Sequence, residues 1–198
     1  MGLDLEYING QTPLDEDEKK GLLIPTIATR EELDEFEQQN IEDWMQWVFS
    51  RSAKAETILT EKFMCRLHKR MYGDVWDWAG NFRKTNKNLR IDKWQISVAL
   101  KTLCDDTLYW VKHKTFTPDE IAIRFKDRIV SIHCFPNGNG RHSRLMADVI
   151  ITKVFNLPLF SWGSSDLVHQ GEARSNYLKA VKAADKGDFE RLLKFARS

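Results

Sequence analysis

His133-Cys134-Phe135-Pro136-Asn137-Gly138-Asn139-Gly140-Arg141-His142-Ser143-Arg144 lies between two stretches of helical periodicity. Before it, Thr117-Pro118-Asp119-Glu120 starts a helix, with Thr as N-cap, Pro at N1 and Glu at N3. Ile121, Phe125, Ile129 and Ile132 then place an apolar stripe that runs straight into His133. After it, Leu145, Met146, Val149, Ile150 and Val154 predict a helix over about 140–155 that stops near Asn156 and Pro158. The chain therefore reads as helix, short polar loop, helix.

The loop carries the chemistry. A glycine-bearing turn at a helix N-terminus turns backbone N–H groups and the positive end of the dipole toward an anion. Gly138 and Gly140 let those amides approach closely. Arg141 and Arg144 are three apart and share one face of the first turn. Positive charge there opposes the dipole, so two arginines are disfavoured unless an anion sits between them and the backbone. Arginine binds phosphate oxygens bidentately. His133, at the end of the preceding helix, is placed to take a proton from a hydroxyl. Asn137 stands where a metal-phosphate enzyme often uses a carboxylate, and its amide oxygen brings no charge. Phe135 reads as a core anchor, Pro136 as a stiffener and Cys134 as filler.

Outward from the loop, helical signals dominate. Thr29-Arg30-Glu31-Glu32 is a capping box ahead of Leu33, Phe36, Ile41, Trp44, Trp47 and Val48. Ile58, Phe63, Leu67 and Met71 predict a helix over about 53–71, with Gly73 past its end. Further helices fit about 94–112, 172–186 and 188–197. Phe82-Arg83-Lys84-Thr85 and Leu89-Arg90-Ile91, flanking Asn86-Lys87-Asn88, predict one small β-hairpin. Residues 1–28, with Thr12-Pro13-Leu14-Asp15, read as an extended arm. The sum is an all-α domain with one hairpin, and the absence of βαβ units excludes a doubly wound sheet.

Composition narrows the function classes. The chain has 198 residues, long enough for one domain with an N-terminal extension, and a net charge of +1. That balance sets up no field for nucleic acid or an anionic membrane. Cys65, Cys104 and Cys134 form no C-x-x-C pair and read as reduced thiols of a cytoplasmic protein. No signal peptide and no apolar run of membrane-spanning length is expected. No P-loop, H-E-x-x-H or strong zinc spacing occurs, and His142 and His169 show no obvious partners. The seven tryptophans sit mostly on apolar faces, where core packing outweighs base stacking.

Residues 133–144 resemble the signature of the Fic (filamentation induced by cAMP) family, His-x-Phe-x-[Asp/Glu]-Gly-Asn-Gly-Arg-x-x-Arg, at every position except Asn137. Trp78-Ala79-Gly80-Asn81-Phe82-Arg83 is similar to the family's approach to its hairpin flap. Tyr177-Leu178 and Ala183-Ala184-Asp185-Lys186-Gly187-Asp188 are similar to its C-terminal helix pair. The Thr12-Pro13-Leu14-Asp15 arm and the helix from Glu32-Leu33 to Asn40-Ile41 resemble the subgroup called mobile mystery protein B.

The resemblance implies a Fic-type helical bundle, with an arm and helix in residues 1–50 and the Fic core in residues 51–198. It implies a protein adenylyltransferase that moves AMP from ATP to a Ser, Thr or Tyr hydroxyl of a target protein. The alternatives are another nucleotide, removal of AMP, or a non-catalytic toxin-like or regulatory module. His133 would be the base. Gly138, Asn139 and Gly140 would form the anion hole, Arg141 would hold phosphate and Arg144 would reach the γ-phosphate. Asn137 would take the position that binds Mg²⁺, weakly, and Tyr177 and Asp185 would lie near adenosine. Asn88 and Leu89 would belong to the flap that docks the target. A homo-oligomer or a small antitoxin-like regulator is the further partner implied, in a bacterial cytoplasm or after delivery elsewhere. The family's inhibitory pattern has no full match; Glu37 in Glu37-Gln38-Gln39-Asn40-Ile41 is the nearest candidate, and pairing with Arg144 is expected of it.

Overall fold

The computed structural model describes residues 5, 7, 12–50, 52–87, 89, 91–164, 167 and 171–198, with Trp47 described in its backbone alone. Asn88, His169 and the Trp47 side chain lie outside the described residues.

The fold is built from helices α1 (Glu16–Lys19), α2 (Arg30–Ser50), α3 (Ala55–Ile58), α4 (Glu61–Tyr72), α5 (Ile96–His113), α6 (Pro118–Ile132), α7 (Asn139–Val149), α8 (Glu172–Ala184) and α9 (Glu190–Arg197). Helix α6 packs between α5 and α7, α2 lies on α4, and α8 pairs with α9. No helix among the described residues is long and apolar enough to cross a membrane.

Local signals set the helix starts. Thr29 Oγ1 accepts from Glu32 N (3.2 Å) while Glu32 Oε2 accepts from Thr29 N (3.1 Å). The same reciprocal box opens α6 between Thr117 and Glu120, with Pro118 in the first turn. Ile121, Phe125 and Ile129 are buried, as are Met146 and Ile150 across from them. Each such side chain taken from water contributes about 1.5–3 kcal/mol.

Three sequence expectations change. The helix expected over 53–71 is broken at Leu59 (φ −84°, ψ 61°), and Thr60 caps a fresh start by accepting from Phe63 N. The helix expected to Val154 holds α geometry only to Val149 and ends in a π-turn at Ile150–Val154. The hairpin does not form a ladder among the described residues. The described residues between 81 and 92 turn where expected, with Leu89 N donating to Asn86 O (3.0 Å) and Lys87 left-handed at φ 49°. Among the described residues the single β-bridge joins Leu22 to Trp76 instead. Arg83 explains the loss. Its buried guanidinium donates to the carbonyls of His133 (2.7 Å), Thr85 (2.7 Å) and Ile91, so these inward carbonyls serve an arginine rather than a partner strand.

Candidate active site

The loop between α6 and α7 is held from beneath. Helix α6 ends on His133 in a left-handed conformation (φ 55°, ψ 61°). For a residue with a Cβ this costs on the order of 1–2 kcal/mol, so the surroundings must hold it there. Arg83 does so by capping the His133 carbonyl. Asn139 braces the loop across itself, accepting from Phe135 N (3.0 Å) and donating to Phe135 O (2.8 Å).

His68, Phe135 and His142 form a buried aromatic floor. His68 stacks on Phe135 with centroids 3.7 Å apart, and His142 meets Phe135 edge-on. Gly80 N donates to His68 Nδ1 (3.0 Å), which leaves Nε2–H to donate to Asn137 O (3.0 Å). His142, which showed no partner in the sequence, has its Nε2 3.1 Å from Met64 O. Burial first, then the neighbouring His142, holds the His68 imidazole well below its ordinary pKa.

Gly138 opens α7 at φ 75°. A Cβ here would lie 2.5 Å from Tyr72 Cε2, while one on Gly140 would meet only Arg144 Nη1, at 4.0 Å. Gly138 is thus needed for the turn, and Gly140 keeps the amide face of the first turn open.

These elements surround a cavity of about 150 Å³ lined by Thr12, His133, the 137–140 backbone, Arg141, Arg144 and Tyr177, among others. A second cavity of about 730 Å³ abuts it, sharing Asp34, Arg141, Arg144 and Leu167. Arg144 lies 5.4 Å over the Tyr177 ring. Burial pushes the Tyr177 phenol up, but Lys126 and Arg144 outweigh it and leave the group lowered.

His133 lines the same cavity. Its Nε2 lies 3.2 Å from Thr12 Oγ1. Burial, followed by the positive charges of Arg83 and Lys87, pushes its pKa down to about 4, against a smaller opposing hydrogen bond to the Val130 backbone. With Nε2 at Thr12, the nitrogen facing Val130 is Nδ1. The imidazole is neutral at neutral pH, with Nε2 free to accept a proton.

Not every expected residue joins the site as foreseen. Glu37 is buried and pairs with Arg141, not with Arg144. Its other oxygen accepts from Trp76 Nε1 (2.6 Å). Arg144 lies three residues farther along α7 and lines the same cavity. Arg141 Nη1 nevertheless has no partner among the described residues, although it is buried in a cavity-lining residue. Asp185 is exposed and lines a separate depression with Asp127 and Arg128, away from the loop. Leu89 does not line the cavity. The Asn139 side chain faces the loop interior, so only its backbone serves the helix N-terminus.

Both polar atoms of the Asn137 amide are engaged within the chain. Its Oδ1 accepts from Gly138 N (2.6 Å) and its Nδ2 donates to Thr12 O (3.0 Å). Among the described residues no group of three His, Cys, Asp or Glu could hold a metal.

Several site residues carried no assigned role in the sequence reading. Thr12 and Arg174 line the cavity, Tyr72 Oη donates to Gly138 O, Arg83 caps the His133 carbonyl, and Lys87 Nζ donates to Pro13 O beside Thr12. Arg83 lay in the Trp78–Arg83 run, Thr12 in the Thr12–Asp15 run and Lys87 in the Asn86–Asn88 turn, while Tyr72 and Arg174 had no local signal.

A histidine capping a helix in left-handed geometry, a glycine-opened helix N-terminus and a pair of arginines three residues apart are the features that the Fic signature places together. Residues 58–151 match the Fic/DOC family, so this part of the chain is a Fic domain. No curated protein is significantly similar to the chain. Its fold is similar to that of Fic-1 (residues 134–508) from C. elegans, at TM-score 0.61 and 19% identity over 90% of this chain and 50% of that one. The chain thus spans about half the length of the C. elegans structures it matches. It is also similar to BepC from Bartonella tribocorum with bound AMPPNP, at TM-score 0.63 and 15% identity over 92% of this chain and 97% of that one. A Fic domain from Bartonella quintana with bound ADP matches at TM-score 0.60 and 15% identity, over 87% of this chain and 86% of that one. At these identities the likeness is one of fold.

Proposed function

We propose that the chain is a protein adenylyltransferase of the Fic type, moving AMP from ATP to a Ser, Thr or Tyr hydroxyl of a target protein. The observation that carries this reading is the unprotonated His133 Nε2 facing a hydroxyl across the same cavity as the Gly138–Gly140 amides, Arg141 and Arg144. The Fic structures that hold AMPPNP and ADP support a nucleotide as the ligand.

In this reading the triphosphate lies over the N-terminus of α7, where amide N–H groups, the dipole and the arginines hold it. The target hydroxyl enters beside His133. Nε2 takes its proton, the oxygen attacks the α-phosphorus, and the bond to pyrophosphate breaks. The charge that develops on the phosphate oxygens is met by donors already in place, which is where most of the rate gain arises. The base contributes about 10²- to 10⁴-fold. Residues 51–198 do this chemistry, and residues 1–50 supply the arm and the helix that bear on it.

The test is incubation of the protein in native cell lysate with labelled ATP, GTP, CTP and UTP. Label from ATP should appear on a discrete protein. Label from a different nucleotide alone would change the assignment, and binding without transfer would favour a non-catalytic module.

A further inference from the structure

The N-terminal arm brings a hydroxyl of this chain to the base. Thr12 Oγ1 lies 3.2 Å from His133 Nε2, within the reach a general base needs for the proton it removes. The two residues are 121 apart in sequence, so the contact depends on how the arm is docked.

The docking is specific at every step. Asn137 Nδ2 donates to Thr12 O (3.0 Å) and Lys87 Nζ donates to Pro13 O (2.8 Å). Leu14 is buried in the core, and its N–H donates to Tyr7 Oη (2.9 Å). Thr85 Oγ1 donates to Asp15 Oδ2 (2.9 Å), and Lys87 is ion-paired with Glu18 in α1. Pro13 restricts Thr12 to extended backbone. The arm therefore crosses the 85–87 turn as an extended segment and presents one hydroxyl at the imidazole. Thr12 also lines the cavity that Gly138, Asn139, Gly140 and Arg144 line, and the larger cavity shares both arginines with it but not Thr12.

From this geometry we infer that Thr12 is a modification site, and that the chain nucleotidylates its own Thr12 hydroxyl within one molecule. The inference rests on the nucleotidyl-transfer reading above. Thr12 Oγ1 attacks the α-phosphorus of a nucleoside triphosphate and a P–O bond forms. The bond from that phosphorus to pyrophosphate breaks, and pyrophosphate leaves. The hydroxyl proton passes to His133 Nε2. The product is a phosphodiester between Thr12 and the nucleoside.

The test uses the purified full chain, incubated with ATP in Mg²⁺ buffer and read by intact mass and peptide mapping. One adenylyl increment is expected on the peptide holding Thr12. It should be lost in Thr12→Val and in His133→Ala and kept in Thr12→Ser, whose matching thermal unfolding would show that the arm still docks. A mixture of His133→Ala with Thr12→Val should leave both chains unmodified. Label on the His133→Ala chain in that mixture would overturn transfer within one molecule. A bare Thr12 while lysate proteins are modified would overturn the inference and leave the functional reading standing. No transfer to any protein would overturn both.

Discussion

Glu37 on α2 is ion-paired with Arg141 on α7, across 104 residues, and shares its carboxylate with the Trp76 indole. The pair does two things. It ties the N-terminal helix to the loop, and it sets a carboxylate against the first arginine of the cavity. Removing one partner of a buried pair costs about 3–5 kcal/mol, because the other charge is left uncompensated. Glu37→Gln should therefore lower the thermal midpoint. An anion should then take the place of the lost carboxylate, so ATP should raise the midpoint of Glu37→Gln more than that of the parent protein. Differential scanning fluorimetry across an ATP titration checks this. Equal shifts in both proteins would remove Glu37 as a competitor for nucleotide.

Gly138 and Gly140 should respond differently to alanine. At Gly138 a Cβ meets the buried Tyr72 ring at 2.5 Å and the backbone sits at φ 75°. Gly138→Ala should cost about 1–2 kcal/mol from the backbone alone, before the clash is relieved. At Gly140 the space is open, so Gly140→Ala should unfold within about 1 kcal/mol of the parent while weakening ATP binding by narrowing the amide face. Denaturant unfolding and ATP titration together check the contrast.

Acid should destabilise the fold. His133 and His142 are pushed down to about 4 by burial, and His68 is pushed down in the same way. Below the unfolded value of 6.5 the unfolded chain binds protons that the folded chain refuses, so stability present above 6.5 is lost as pH falls toward 4. Asp148 acts in the opposite sense. Burial raises it to about 7 despite hydrogen bonds from Trp162 and Phe160. The proton it holds contributes stability at low pH that is lost as pH rises through 7. Burial raises Asp127 as well, so three imidazoles stand against two carboxyls, which leaves a net loss on acidification. Thermal melts at pH 7, 6 and 5 should show a falling midpoint; a rising one would contradict the burial of these histidines.

How much of this was legible in the sequence depended on range. The caps at Thr29/Glu32 and Thr117/Glu120 are contacts three residues apart, and both formed as read. The His133–Arg144 run is local too, and its turn formed around Gly138. The contacts that define the cavity are not local. Thr12 with His133, Glu37 with Arg141 and Arg83 with the His133 carbonyl join distant segments, and nothing in their spacing signals the pairing. Tertiary packing also overrode local pattern, as the break at Leu59 shows, and the carbonyls around 85–91 went to Arg83 rather than to a strand.

Asn137→Asp should show whether the missing charge matters. It replaces a donor to the Thr12 carbonyl with a repelling oxygen, so the arm should loosen. It also adds one negative charge beside the place the proposed reading gives to the phosphates. The Mg²⁺ concentration that half-saturates ATP binding should fall by about tenfold, equivalent to about 1.4 kcal/mol. Calorimetric ATP titrations at several Mg²⁺ concentrations check it, and an unchanged Mg²⁺ dependence would contradict the role given to this position.

The central claim is transfer of a nucleotidyl group with His133 as base. It is tested most directly by giving the protein ATP labelled at the α-phosphate or at the γ-phosphate and asking which label stays bound to protein. The account predicts that α-label is retained, that γ-label leaves in pyrophosphate, and that His133→Ala lowers retention by about 10²- to 10⁴-fold. Retention of γ-label, or undiminished α-labelling by His133→Ala, would contradict it.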